Sequence, residues 1–510
     1  MKPFLSHVEK IHKSGFLSLT ISLFVIMQAP SLGMAAPPFV PLSLSEAITL
    51  ALENNVDIRI EGETIRILEL NITLEDAQFD PTLRFGARTD QATQTTSSTI
   101  DTTIFGTNKI KQTKLNLQAG LNQRLRWGGD YGLSLNQTRS SRNTGQVFNP
   151  TFTADAVLTV TQPLLQGFGL KVVQGPLRIA QTNIAMSRTT FRSKVSTLLF
   201  DINSTYWDLV FQRENLKVKQ QALQSARQLL KASLAKVGLG LLAPIEILVA
   251  EAGAASREES VVIAEKEIED KEDEMRQLLN LPGQSLVDPP SLHPTDKPTE
   301  TRRLLDDGRM LEMALTRRPE IEENRLSVQN RALLLRIAEK RLSPSLDFVG
   351  RLGLNGLGET YMQGFDQITS KESFRWEAGL ELQFPIGNRS ARANFQKEKT
   401  EQNKAILAQI KVVQRITLEV KKALRRVRTD FHRIETTGRA RVLSERKLSA
   451  GNERFSLGLI SSNDLLEFQD DLAEARVNAL KAVIDYNKSL ASLDGATGTL
   501  LEKYGVETPS

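Results

Sequence analysis

Apolar and polar residues keep two different rhythms along this chain. In FRWEAGLELQFPI (374–386), Phe374, Trp376, Ala378, Leu380, Leu382 and Phe384 alternate with Arg375, Glu377, Gly379, Glu381 and Gln383. SLDFVGRLGLN (345–355), LNLQAGLNQRL (115–125) and ADAVLTVTQPLL (154–165) alternate in the same way. A period of two sends successive side chains to opposite faces of a strand. RWGGDYG (126–132) reads as a turn between LNLQAGLNQRL and GLSLNQT, which predicts an additional hairpin. The count is four to six strands of about 10 residues, apolar on one face and polar or glycine on the other, the pattern of a membrane barrel with a wet lumen. A soluble half-buried sheet alternates likewise, so the choice between them needs other features.

The second rhythm is helical. No Pro or Gly falls between about Ile179 and Val237. Val195, Leu199, Ile202, Tyr206, Leu209, Leu216, Leu223, Leu230, Leu234 and Val237 follow a three–four spacing, a heptad seam. Arg213, Gln220 and Arg227 fill the remaining seam places. A second long helix is expected from about Ala391 to Phe455. After a break, Leu465, Phe468, Leu472, Ala475, Ala479, Ala482, Tyr486 and Leu493 continue its seam.

The breaks are written twice, as LGLLAPIEIL (239–248) and LGLISSNDLL (457–466). Glycine can take the left-handed conformation that ends a helix. Pro244 suits the first turn of the next helix, and Ser461, Ser462 or Asn463 can cap its counterpart. Asp464 adds negative charge at that helix's positive end. Each break is therefore the tip of a helical hairpin. Other stretches repeat in the same order. LALENNVDI (50–58) matches MALTRRPEI (313–321), AQFDPTLRFGA (77–87) matches KRLSPSLDFVG (340–350), and TVTQPLLQG (159–167) matches ELQFPIGN (381–388). The chain is a duplication whose halves each run helix, strands, long helix, break, helix. The expected organisation is a signal peptide (1–36), a first repeat (37–290; strands 81–165, tip near 239–246), a second repeat (291–500; strands 344–385, tip near 457–464) and a tail (501–510). LPGQSLVDPPSLHPTDKPT (281–299), rich in proline, is a non-helical connector.

Composition narrows the class. There is no Cys among the 510 residues, which removes disulfides, thiol catalysis, Cys-ligated metal and a lipid-anchored N-terminal Cys. A formal charge of +5 with Lys and Arg interleaved among Asp and Glu does not point to nucleic acid. Lys2, Lys10 and Lys13 precede the apolar run FLSLTISLFVIMQA (16–29), and Gly33 and Ala35 supply a small-residue cleavage site. That run is short of the ~20 residues a membrane-spanning helix needs. Later segments contain no such run, so any membrane the mature chain enters is crossed by strands. The export signal, the missing Cys and the Ser/Thr-rich loop TQTTSSTIDTT (93–103) favour the barrel over the soluble sheet. A single-chain barrel takes at least ~8 strands, and an open sheet edge is not tolerated in lipid. Several copies must therefore share one barrel.

The element order, the LSLSEAITLALENNVDI opening (42–58), its ALTRRPEI echo (314–321), the QPLLQGFG strand end (162–169) and the two tip breaks resemble the TolC-like outer membrane efflux proteins. The resemblance spans about Leu42 to Leu500. It implies a mainly α fold with duplicated coiled-coil hairpins forming a periplasmic tunnel, and strands pooled into a trimeric outer-membrane barrel. It implies a homotrimer working with a periplasmic adaptor (a membrane fusion protein) and an inner-membrane transporter, as the exit duct of a tripartite efflux or type I secretion system. No cofactor or metal is expected. The docking tips fall on Leu239, Gly240, Leu241 and Leu457, Gly458, Leu459. The acidic entrance positions fall on Asp464 and Glu467, with Glu246 at the first tip. A ring of carboxylates in a narrow aqueous throat attracts cations. Asp464 and Glu246 can also act simply as helix caps, and the two roles are compatible. Phe455 stands where some members carry a gate tyrosine, and Ile460 where an arginine often stands, so the same hydrogen bonds cannot hold this gate.

Other functions fit poorly. His293 lies in the connector and His432 in a helix, and neither sits in a ligand-like cluster. Asp470 and Asp471 read as a solvated helix face, and KKALRRVRTDFHR (421–433) as a basic stripe rather than a nucleic-acid site. The remaining alternative is a periplasmic coiled-coil adaptor, which would have one hairpin flanked by small β domains rather than two hairpins and barrel-like strands.

Overall fold

The start of each half is fixed by local capping. Ser43 Oγ accepts the Glu46 N–H at 3.2 Å while Glu46 Oε2 accepts the Ser43 N–H at 2.8 Å, a capping box that opens α1 (Leu44–Asn54). Asn55 breaks the helix and caps the next, α2 (Val56–Asp76), its Oδ1 accepting from Asp57 and Ile58. The second half repeats the device. Asp306 caps α6 (Asp307–Arg317), and Pro319 opens α7 (Pro319–Lys340) at a position that needs no N–H.

The computed structural model describes residues 39–95, 103, 106, 108–143, 147–281, 289–370 and 373–507. The expected signal peptide and most of the 93–103 loop lie outside the described residues.

From α2 the chain enters a sheet through β2 (Thr82–Thr95), β3 (Lys109–Arg124), β4 (Asp130–Arg142) and β5 (Thr151–Pro163). A short turn of helix, α3 (Leu170–Val173), precedes α4 (Gly175–Gly238), and α5 (Ile245–Leu279) returns alongside it. The second half adds β7 (Ser345–Gly358) and β8 (Phe374–Gln383), with α8 (Tyr361–Ser370) between them. It then forms a hairpin from α9 (Arg389–Ser456) and α10 (Ser462–Ala496), and ends in α11 (Leu500–Lys503). The connector strand β6 (Ser291–Pro294) pairs in parallel with β1 (Phe39–Leu42). At 64 and 68 residues, α4 and α9 are about 95–100 Å long. No helix among the described residues is long and apolar enough to cross a membrane.

The six long strands form one antiparallel sheet in the order β2-β3-β4-β5-β7-β8. The four segments read as alternating fall in β3, β5, β7 and β8, and the RWGGD turn joins β3 to β4. The long helices meet the sheet at one end only. α2 packs on α4, α4 on α7 and α7 on α9; further down, the hairpins α4–α5 and α9–α10 meet where α10 packs on α4. β2 and β8 are the sheet's edges and are exposed along their whole length.

Among the described residues the core runs along the helices in three clusters. The largest gathers Leu42, Leu199, Ile202, Leu209, Met275, Leu292 and Leu500 around fully buried Tyr206. The Tyr206 hydroxyl accepts the Thr295 and Asp296 N–H groups at 3.1 and 3.0 Å and lies 2.8 Å from Asp296 Oδ2. Burial pushes its pKa up to about 12. One phenol thus holds the connector and the N-terminal strand on α4. Leu501, Tyr504 and Val506 of the C-terminal tail pack against this cluster.

Two details depart from the sequence reading. Leu234, placed on the α4 seam, is 50% exposed although Val195 to Leu209 are buried. A straight helix drifts about 20° per heptad from a strict 3.5 repeat, so the far end of the seam rotates outward. The second strand region also contains a helix, α8, packed on the apolar face of β5 and β7. Gly356 and Gly364 permit that approach: a β-carbon on Gly356 would lie 1.8 Å from the Gly364 carbonyl oxygen.

Candidate functional site: the hairpin tips

Both tips are the same backbone motif. At the first, Leu241 N–H donates to Lys236 O at 2.8 Å and Gly240 N–H to Val237 O at 2.9 Å, with Gly240 at φ +72°. At the second, Leu459 N–H donates to Arg454 O at 2.9 Å and Gly458 N–H to Phe455 O at 3.0 Å, with Gly458 at φ +73°. These are Schellman closures, which satisfy the last helical carbonyls and need a left-handed residue. Nothing lies within 4 Å of where a β-carbon would sit on either glycine, so conformation and not crowding selects them. The flanking leucines have nowhere to bury: Leu239 and Leu457 are each 74% exposed, Leu241 66% and Leu459 63%.

Below the tips the helices restart differently. Pro244 leads into α5 without a side-chain cap. On α10, Ser461 and Asp464 form a capping box: Ser461 Oγ accepts the Asp464 N–H at 3.2 Å, and Asp464 Oδ2 accepts the Ser461 N–H at 3.0 Å and hydroxyl at 2.8 Å. The backbone bond from Ser461, then its hydroxyl, holds the Asp464 carboxyl below the usual carboxylate range. Glu246 reaches across from the first hairpin, its Oε2 accepting the Ser462 N–H at 2.7 Å. Asp464 and Glu246 therefore both serve the N-terminus of α10, where negative charge is favoured. Glu467 lies a turn further along α10 and is exposed.

Three further contacts, which no short motif announces, lock one tip to the other. Lys236 Nζ donates to the Phe455 and Ser456 carbonyls at the end of α9 and sits 4.5 Å from the Phe455 ring centre. A lysine here also answers the negative helix C-terminus. Ser233 and Ser462 hydroxyls meet at 3.1 Å in a buried contact. Arg257 on α5, nearly buried, donates to Leu466 O at 3.2 Å and to Asp470 at 2.7 Å on α10. Phe455 is itself buried with Leu229, Ala250, Ala254, Leu465 and Leu466. Where a hydroxyl was absent from the sequence, packing and a cation hold the place; Ile460 packs at the edge of the same cluster.

The rival features are absorbed by structure. In the basic run, Arg428 pairs with Asp307 and Arg433 with Asp485. Asp471 pairs with Lys447 at 2.6 Å.

The outer membrane efflux protein family model matches residues 129–281 and 310–499, more than half of the chain. The chain belongs to this family. Its fold is that of solved outer-membrane channels. OprN is 16% identical, with 89% of this chain and 90% of that one aligned at a TM-score of 0.67. CmeC of Campylobacter jejuni is 16% identical over 89% and 85%, at 0.66. The open state of MtrE from Neisseria gonorrhoeae is 18% identical over 90% and 89%, at 0.62. Compared by sequence alone, no curated protein matches. The efflux protein is thus an outer-membrane channel with its helices in the periplasm. This family membership replaces the adaptor alternative, and it accounts for two hairpins joined to one sheet.

Proposed function

We propose that three copies of this efflux protein close a common duct, and that the duct receives cargo from an inner-membrane transporter through a periplasmic adaptor in a tripartite efflux or type I secretion system. The observation that carries this reading is a matched pair of unpartnered edges. Strand β2 follows α2, strand β8 precedes α9, and all four lie at the outer limits of the protomer. Along α2, Val56, Ile60, Ile67, Leu70 and Leu74 are exposed at seam spacing. Along α9, Leu407, Ile410 and Leu418 are exposed in turn. Apolar stripes of that length need a partner, and six strands are too few to close a barrel alone.

In this reading the exposed leucines at 239, 241, 457 and 459 meet an adaptor's hairpin. Glu246, Asp464 and Glu467, repeated in three copies, set a negative potential at the periplasmic entrance. A Gly458→Pro channel tests the tip. Proline fixes φ near −65° and removes the N–H that donates to Phe455 O, so the Schellman closure cannot form. Export should stop while a heat-modifiable oligomer still accumulates in the outer membrane. Normal export by that variant contradicts the tip assignment.

A further inference from the structure

The β3–β4 hairpin is the one part of the sheet with no helix beneath it. β2, β5, β7 and β8 each connect to a periplasmic helical segment, whereas β3 and β4 connect to each other through residues 125–129. Such a hairpin could stand clear of the membrane or lie within it. Its register decides. One transverse row reads Leu83, Leu121, Leu133, Leu158, Leu352 and Trp376 across all six strands. The neighbouring row, on the opposite face, reads Thr82, Asn122, Gly132, Thr159, Arg351 and Glu377. The hairpin continues both faces without a change of phase, and a slip of one residue would have reversed them.

Its turn is also seated on the helical end. Arg126 pairs with Asp76 at the foot of α2 at 2.8 Å, and Gln123 donates to Phe79 O at 3.0 Å. Gly128, at φ +101°, lets the turn close on the strand end below β5: a β-carbon there would lie 2.8 Å from Gly167 O. The hairpin is therefore tied at the periplasmic rim and runs the same way as its neighbours.

We infer that β3 and β4 cross the membrane, so that the trimer proposed above closes eighteen strands and not twelve. This rests on the trimer reading and adds the barrel's width to it. Strands ~4.8 Å apart and tilted by ~40° occupy about 6.3 Å of circumference each, so eighteen give roughly 113 Å. The bore across the backbone is then about 36 Å, in the range of barrels that leave an aqueous channel.

The absence of Cys makes the test clean. Single cysteines replace Gln118 and Asn136, on the polar face, or Leu121 and Leu133, in the apolar row clear of α8, in the otherwise unaltered protein in outer-membrane vesicles. Glu377→Cys and Leu380→Cys on β8 serve as the reference pair. A charged thiosulfonate added in water should label the 118, 136 and 377 variants and spare the 121, 133 and 380 variants. Labelling at all four hairpin positions, with the β8 pair still divided, overturns the inference and leaves the channel reading intact. Labelling of both β8 positions contradicts the channel reading and the inference with it. Counting strands in images of the purified trimer is the independent check: eighteen supports the inference, and twelve refutes it.

Discussion

Glu246 and Ser462 lie 216 residues apart in sequence, yet the carboxylate of one accepts the backbone N–H of the other at 2.7 Å. The bond makes the first hairpin part of the cap of the second. The two tips of a protomer are consequently one mechanical unit, and loosening either disturbs both. Replacing Glu246 by Ala strands an N–H at the start of α10, a loss of about 0.5–2 kcal/mol by analogy with other caps. The expected outcome is a larger open fraction of the reconstituted channel in planar bilayers, by a factor of about 5–30 for 1–2 kcal/mol. An unchanged open fraction would show that this bond does not hold the tips.

Asp464 gives the tip a pH dependence with a definite sign. Its folded pKa is depressed by the Ser461 bonds, so its contribution is present above the ordinary carboxylate value and is lost as pH falls through the depressed one. The Ser461–Asp464 cap should persist between pH 5 and pH 7 and loosen only in stronger acid (below about pH 4, the ordinary aspartate value). Asp464→Asn should flatten the acid branch of the conductance–pH curve. An acid branch retained in that variant would assign the titration elsewhere.

How much of this was legible in the sequence depends on the range of the interaction. The strands and long helices were, because alternation and heptads are local and each residue votes in the same direction. Gly240 and Gly458 were, because only a left-handed residue closes a Schellman motif. The grip of Lys236 on the end of α9 was not: it is a contact between hairpins, and one lysine near a helix end carries no signature. The β1–β6 pair was hidden as well, since FVPL and SLHP are short and each contains proline. The ten residues of α8 were read as part of a strand region; their helix depends on Gly356 and Gly358 opposite, which only the sheet brings near.

Tyr206 is the next test of the fold. Tyr206→Phe keeps the ring in its buried place and removes the acceptor for two N–H groups, those of Thr295 and Asp296. The Thr295 N–H keeps its bond to Leu42 O, and Thr295 and Asp296 are both exposed, so the loss is that of ordinary hydrogen bonds, about 0.5–1.5 kcal/mol each. The oligomer should dissociate at a lower temperature on semi-native gels, and protease should cut first in the connector around residues 289–299. A dissociation temperature equal to that of the unaltered protein would show that the phenol is not what secures the connector.

The exposed α2 stripe predicts an assembly defect. Ile67→Glu with Leu70→Glu places charges where a second copy should pack; the two side chains are 59% and 60% exposed in the isolated protomer. Such a change on a free surface alters stability by less than about 0.5 kcal/mol. On a buried seam it should stop oligomer formation, and the protein should be lost from the outer membrane. Normal assembly would remove α2 from the interface.

Pooling of strands between copies underlies all of these expectations, and the mass of the detergent-extracted particle tests it most directly. Light scattering with the detergent contribution subtracted should return three chains, in a particle that conducts ions when reconstituted into a bilayer. A stable single chain, or a particle that never conducts, contradicts the account.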